Sequence, residues 1–372
     1  MTEALYIGLM SGTSMDGIDA ALVAIDDQSC AIKATVSPAY PDHLRQRLQQ
    51  LVEPPHKTDL AHIGGLHTAV AHAFAAAVND LLTLSGLRAA DIVALGSHGQ
   101  TVFHRPGTDE PFSMQLGDPG TLAVLTGITV VADFRNADLA LGGQGAPLVP
   151  AFHRWVFGSP GTDRAVVNIG GIANVTLLHG DGTTTGFDTG PGNGLLDLWC
   201  NQHRSRPFDE SGRWAASGSA DSGLLKQMRA DPYFRSSPPK STGREYFNVN
   251  WLRAQLERYP SSPCEENIQA TLSELTALEI AAAIKANSKC TDIAVCGGGA
   301  YNLDLMQRLR NSLPGCTVDT TARLGIDPSW VESAAFAWLA QQRLLGKPTN
   351  VPAVTGASGP VCLGGIFLPP GS

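Results

Sequence analysis

Phosphate groups are held by converging backbone N–H donors and by close approach of the chain, which glycine beside Ser or Thr permits. Three runs of that kind interrupt apolar, strand-like segments: Gly12-Thr13-Ser14-Met15-Asp16-Gly17, Gly170-Gly171-Ile172-Ala173-Asn174 and Gly297-Gly298-Gly299-Ala300-Tyr301-Asn302. One glycine turn between strands more often serves structure than a ligand. Two at corresponding places in the two halves of the chain, with a third opening a helix, point to a nucleotide divided between two domains. No GxxxxGK[ST] run occurs, no GxGxxG opens a helix in a βαβ unit, and the HRD and DFG sets are missing. The P-loop, dinucleotide and protein-kinase readings therefore fail.

Carboxylates and cations suited to phosphoryl transfer accompany these turns. Asp188, in Gly186-Phe187-Asp188-Thr189-Gly190-Pro191-Gly192-Asn193, reads as a carboxylate on a short polar turn after a strand over 183–187. There it can act as a general base or merely cap its own loop as an Asx-turn. Asp16 and Asp19 beside the first turn can hold Mg²⁺ and its waters, with Asp188 across a cleft; Asp19 can equally be a solvated strand-end charge. Arg135 is a cation for an anionic substrate or an ion-pair partner of Asp133 or Asp138. Ser97-His98-Gly99-Gln100-Thr101 gathers polar side chains where a sugar can be hydrogen-bonded or a strand end satisfied.

The elements that must position these groups follow from periodicity. Buried strands are predicted over 4–10, 20–25, 92–96, 128–132, 165–169, 174–178 and 292–296, and helices over 62–84, 268–286, 303–313 and from Asp327-Pro328 to about Leu345. The opening thus reads strand, turn, strand, and the segment from Ala165 repeats that pattern. His62, His67 and His72 recur at a spacing of five, which drifts around a helix instead of stacking as metal ligands do. Gly142-Gly143-Gln144-Gly145-Ala146-Pro147 suits a hinge or crossover near a domain boundary. Segments 204–222 and 235–244, rich in Ser, Pro, Gly and charge, read as loops or a mobile lid.

At 372 residues, 43% of them hydrophobic and 16% charged, the chain is long enough for two domains and carries no disordered signature. A net charge of -8 argues against a nucleic-acid partner and favours a small molecule. Seven cysteines without a CxxC pair read as reduced thiols. No apolar stretch reaches the length of a membrane span, so a cytoplasmic location is expected.

Taken together and in order, Gly8-Leu9-Met10-Ser11-Gly12-Thr13-Ser14-Met15-Asp16-Gly17-Ile18-Asp19, Gly96 to Thr101, Asn168 to Asn174, Gly186 to Asn193 and Cys296 to Asn302 resemble the anhydro-N-acetylmuramic acid kinase family across nearly the whole chain. No motif position departs from the pattern. The resemblance implies a two-domain α/β fold of the actin-like ATPase (ribonuclease H-like) kind with an interdomain nucleotide cleft, split as 1–145, joined by part of the C-terminal segment, and 146–372. It implies an ATP- and Mg²⁺-dependent enzyme of peptidoglycan recycling that opens the 1,6-anhydro ring with water while phosphorylating O6, as a cytoplasmic homodimer. Asp188 would activate the water. Gly12, Thr13, Ser14, Met15, Asp16, Gly17, Ile18 and Asp19 would hold phosphates, with Gly170, Gly171 and Asn174 joining them, and Gly297, Gly298, Gly299 and Asn302 would lie by the adenosine. Ser97, His98, Gln100, Arg135 and Glu332 would contact the amino sugar; Glu332 also reads as a first-turn carboxylate favoured by the helix dipole. Other readings are another kinase or phosphatase of the superfold, such as an exopolyphosphatase-like hydrolase, and a nucleotide-driven binding protein of the actin or Hsp70 kind.

Overall fold

The computed structural model describes residues 3–12, 15–52, 58–243 and 245–371. In chain order the elements begin β1 (Ala4–Ser11), β2 (Asp19–Ile25), β3 (Cys30–Val36), α1 (Asp42–Val52), α2 (Leu60–Ser85), β4 (Ala94–Arg105), β5 (Phe112–Leu116), α3 (Pro119–Thr126), β6 (Val130–Ala132), α4 (Asn136–Ala140) and α5 (Pro150–Phe157). There follow β7 (Arg164–Ile169), β8 (Ile172–Leu178), β9 (Thr184–Pro191), α6 (Asn193–Arg204), α7 (Arg213–Ser217), α8 (Ser222–Met228), α9 (Pro232–Arg235), α10 (Val249–Arg258) and α11 (Glu265–Asn287). The chain closes with β10 (Asp292–Cys296), α12 (Leu303–Ser312), β11 (Thr317–Thr320), α13 (Val331–Leu344), α14 (Pro352–Thr355) and β12 (Gly365–Phe367).

Two compact units result, one from Met1–Val156 with Trp330–Ser372 and the other Phe157–Ser329. The first holds a sheet of order β12-β6-β4-β1-β2-β3, with β5 pairing β4; the second holds the order β11-β10-β7-β8-β9. In each, the first three strands form an antiparallel meander; β4 then pairs β1 in parallel and β6 pairs β4, as β10 pairs β7 and β11 pairs β10. This is the actin-like, ribonuclease H-like fold, present twice. The repeat visible at the first hairpin of each half therefore extends through five strands.

In the first unit, Ile7 and Leu9 of β1 face a core built with Leu66, Val70, Phe74, Val78 and Leu81 of α2. That helix is set by its ends: Asp59 accepts from the N–H of His62 at 2.7 Å, and Gly86 closes it at φ 68°. His67 accepts from Gly117 N through Nδ1 at 3.1 Å, and no group of three metal-binding side chains occurs among the described residues. The opposite face of β1 and β4 carries α13. A Cβ on Gly8 would fall inside the Ser333 carbonyl, and one on Gly96 inside the Phe336 carbonyl. In the second unit, β7, β8 and β10 pack under Ile280 and Ile284 of α11 and Leu305 and Leu309 of α12. A further core around Trp199, Trp214, Met228, Phe247 and Leu252 joins α6, α7, α8 and α10.

Three sequence readings change. Asp188 is not on a turn, because β9 runs on through Pro191 and pairs Asp188 with Asn174. β4 begins at Ala94, not Ile92, after a 3₁₀ turn at Ala89–Asp91, and continues through the polar Ser97–Thr101 run into a hairpin with β5. Segment 204–222 is folded: Trp214 and Ala215 are buried, and Asp209 accepts from both of their N–H groups at 2.9 Å.

Gly8→Ala or Gly96→Ala should cost on the order of 3 kcal/mol, because the helix backbone they abut cannot yield. Thermal unfolding should fall by roughly 10 °C. Gly64→Ala, inside α2 with no heavy atom within 4 Å of the added carbon, should instead be neutral or gain up to ~1 kcal/mol.

Candidate active site

In the first unit the turn after β1 is pinned from below. Gln100, wholly buried on β4, donates from Nε2 to Gly12 O at 3.1 Å, and its Oε1 lies 2.8 Å from Ser11 Oγ and 3.3 Å from the Tyr40 hydroxyl. Ser11 Oγ also lies 2.8 Å from Gly17 O. Both ends of the Gln100 amide thus serve the turn. Met15 is held at φ 56° and its N–H donates to Gly12 O at 3.2 Å, while Ile18 N donates to Pro38 O. Thr13 and Ser14 lie outside the described residues. Asp19 opens β2, accepting from Ser37 Oγ at 2.6 Å; burial pushes its carboxyl up, Ser37 opposes this, and the charge of Asp16 adds to the rise. Glu332 stands in the first turn of α13, next to Ser333, whose Oγ donates to Asp19 O at 3.3 Å.

His98 and Arg135 meet in the same unit. His98 Nδ1 lies 2.8 Å from Gly99 O and takes the proton of that bond, which leaves Nε2 to accept from Arg135 Nη2 at 2.8 Å. Burial, then the Arg135 charge, drive the imidazole down to about 3, so the ring is neutral. Arg135 also donates from Nη1 to Gly145 O at 2.7 Å. The glycine run before Pro147 is accordingly anchored: buried Asp138 accepts from Gly145 N, Asn350 Nδ2 and Thr355 Oγ1. Beside this pair a hollow of about 400 Å³ is lined by Ser97, His98, Ser113, Asp133 and Asn136 among others. Ser97 Oγ is buried there without a partner, and Asp133 holds φ at 60°.

In the second unit, Asn168 and Asn174 face each other across β7 and β8, and Asp188 follows beside Asn174 on β9. Both asparagine Oδ1 atoms are buried and unpartnered, an arrangement that asks for donors or a cation. Gly170 N donates to Ile172 O, while the carbonyls of Gly170 and Gly171 accept from Asn193 N and Gly194 N at the start of α6. Gly297, at φ 77°, turns directly over Asn168, where a Cβ would collide with Oδ1. Gly298 is exposed; Asn302 accepts from Leu305 N at 3.0 Å and so caps α12.

Asp188 is buried and held by Tyr233 of α9 and by Lys240 and Thr242 of segment 235–244, which the sequence suggested was a loop or lid. Its N–H donates to Lys240 O at 3.2 Å, its Oδ2 accepts from Thr242 N at 3.0 Å, and its carbonyl accepts from the Tyr233 hydroxyl at 2.8 Å. Lys240 Nζ sits 4.6 Å from the Tyr233 ring centre and 5.8 Å from that of Phe187, and donates to Tyr233 O at 3.2 Å. Burial lowers the Lys240 ammonium, opposed by Glu279 and Asp188, and raises the Tyr233 phenol.

The profile of the anhydro-N-acetylmuramic acid kinase family matches residues 4–369. The chain belongs to this family. Proteins named anhydro-N-acetylmuramic acid kinase from Shewanella sp. strain MR-4 and Shewanella baltica strain OS185 are 51% and 52% identical over 368 residues, 99% of each chain. Among solved structures, an activator of 2-hydroxyisocaproyl-CoA dehydratase from Clostridium difficile aligns at TM-score 0.48 and 12% identity, covering 90% of this chain and 92% of its own. A ROK family glucokinase from Streptomyces griseus aligns at 0.44 and 15%, covering 91% and 100%. Those two likenesses are too distant to bear on the reaction.

Tyr233, Lys240 and Thr242 escaped the sequence reading because their roles run through backbone contacts to β9, which no spacing records. The Pro238-Pro239-Lys240 run was the available signal, an ordered turn inside an apparent loop.

Because folding depresses the His98 pKa below the unfolded value near 6.5, its contribution to stability is present above that pH and is lost as pH falls toward about 3. His153 and His104, lowered by burial to about 3 and about 4, act in the same direction. The urea midpoint should drop between pH 6.5 and 4, and His98→Gln should flatten that limb relative to the parent.

Proposed function

We propose that this chain is an ATP-dependent kinase of cell-wall recycling that opens the 1,6-anhydro ring of anhydro-N-acetylmuramic acid with water and phosphorylates O6. The observation that carries the residue assignment is the buried carboxylate of Asp188, fixed on a strand by main-chain bonds beside two unpartnered asparagine oxygens. An anhydro sugar has no O6 proton to remove, so the base acts on water. Asp188 takes a proton from the water as its oxygen bonds to C1; the C1–O6 bond breaks, and O6 accepts the γ-phosphoryl group. The products are N-acetylmuramic acid 6-phosphate and ADP, and the proton passes to solvent.

The turn Gly12 to Asp19 with Gly170, Gly171 and Asn174 serves the phosphates, and the Gly297 turn serves the adenosine. Asp16 and Asp19, two carboxylates close enough for one to raise the other, suit Mg²⁺ held partly through water, which neutralises phosphate charge. Ser97, His98, Gln100, Arg135 and Glu332 form the sugar side; the neutral His98 keeps Arg135 oriented with its positive charge uncompensated by the ring. Lys240 and Thr242 position Asp188. The cytoplasmic homodimer belongs to the same proposal.

Incubation with ATP, Mg²⁺ and anhydro-N-acetylmuramic acid should yield a sugar whose mass has gained both phosphate and water; ATP turnover with unmodified sugar would sink the reading. Asp188→Asn should lower kcat by roughly 10²–10⁴-fold with ADP affinity unchanged, and a nearly active variant would remove the base. Lys240→Met should lower kcat ~10-fold at constant KM for ATP, with Lys240→Arg restoring part of it.

A further inference from the structure

The second unit contains a hollow of about 450 Å³ at the C-terminal end of α6, lined by Arg204, Arg206, Arg213, Phe208, Glu210 and Trp214 among others. None of its lining residues belongs to the candidate active site described above. Among the described residues none of the three guanidinium groups forms an ion pair. Of the two acidic side chains at the wall, Asp209 is committed to the N–H groups of Trp214 and Ala215, which leaves Glu210 alone against three positive charges. Arg204 Cζ sits over the Trp214 ring, 4.8 Å from its centre.

Trp214 supplies the second, independent observation. It is 8% exposed, and its indole N–H is buried with no acceptor. A buried N–H left without a partner costs about 1–3 kcal/mol, and an indole nitrogen can only donate. Backbone strain lies next to the wall residues in the chain: Ser205 and Ser211 hold φ at 52° and 57°, two of four non-glycine residues with positive φ among those described. The other two, Met15 and Asp133, sit in the first turn and beside the His98 hollow.

We infer that this arginine-lined hollow is a second ligand site, outside the catalytic machinery, for a small molecule bearing a phosphate group. Apart from the Glu210 carboxylate, the unpartnered groups at the wall are donors, three guanidinium groups and an indole N–H, so the occupant must supply acceptors and negative charge. A phosphate presents three equivalent oxygens to guanidinium forks and an indole N–H, where a carboxylate presents two. The face of Arg204 over Trp214 keeps one fork rigid at the wall. Gly212, which a Cβ would drive into the Asn302 side chain, ties the loop at the hollow to the capped start of α12 after the Gly297 turn. Occupancy can therefore be felt at that turn.

Inorganic phosphate is the probe, titrated into the full chain with excess ADP present so that nucleotide phosphate positions are filled. Tryptophan fluorescence should change saturably, and the change should vanish in Trp214→Phe, which separates this indole from the other tryptophans. Arg206→Gln with Arg213→Gln, both exposed, should weaken the midpoint at least tenfold while kcat at saturating substrates stays that of the parent. Should the pair fail to fold, Arg213→Gln alone carries the same comparison. Absence of a saturable change, a midpoint indifferent to the arginines, or competition by ADP would each overturn the inference.

Discussion

Where α13 crosses β1 and β4, backbone lies directly on backbone: helix carbonyls of Ser333 and Phe336 occupy the space that side chains at Gly8 and Gly96 would need. The rest of the first unit depends on that approach. It brings Ser333 to the carbonyl of Asp19, sets Glu332 at the same sheet end, and lays Phe336 against the His98 ring at 4.9 Å between centres. A methyl group at either glycine would lift the helix from the sheet and move all of these together.

The second unit uses the same device at other points. Gly192 and Gly194 admit the carbonyls of Gly170 and Gly171, and Gly297 and Gly299 admit Ile169 and Asn168. The glycine turns thus act first as places where one backbone reaches another. A turn drawn tight against a neighbouring strand has some N–H groups already engaged and presents the remainder in fixed directions. Asn168 and Asn174, whose Oδ1 atoms are buried and unpartnered beside Asp188, are the polar residue of this packing.

Electrostatics refine the picture without building it. His98 is kept neutral by burial and by the arginine it binds, so Arg135 gains an acceptor without the ring adding a second positive charge beside it. Asp188 is fixed through main-chain atoms of the 240–242 segment, an economical restraint because backbone donors carry no rotamer freedom to lose.

By itself the sequence determined the strand and helix order, the paired hairpins of the two halves, the glycine turns and the polar residues at strand ends, because periodicity and glycine placement are local properties. The family could be read there too, since its motifs are contiguous runs. Tertiary structure alone decided that Asp188 lies within a strand, as strand extension through Gly186-Phe187-Asp188-Thr189-Gly190-Pro191 depends on pairing with β8. It alone decided that Gln100 is bound to the first turn, and that Lys240 and Tyr233 close over Asp188 from about 50 residues downstream. Each of those contacts ends on a backbone atom of a residue distant in the chain, and because every residue type possesses that atom, the partner leaves no trace in residue identity.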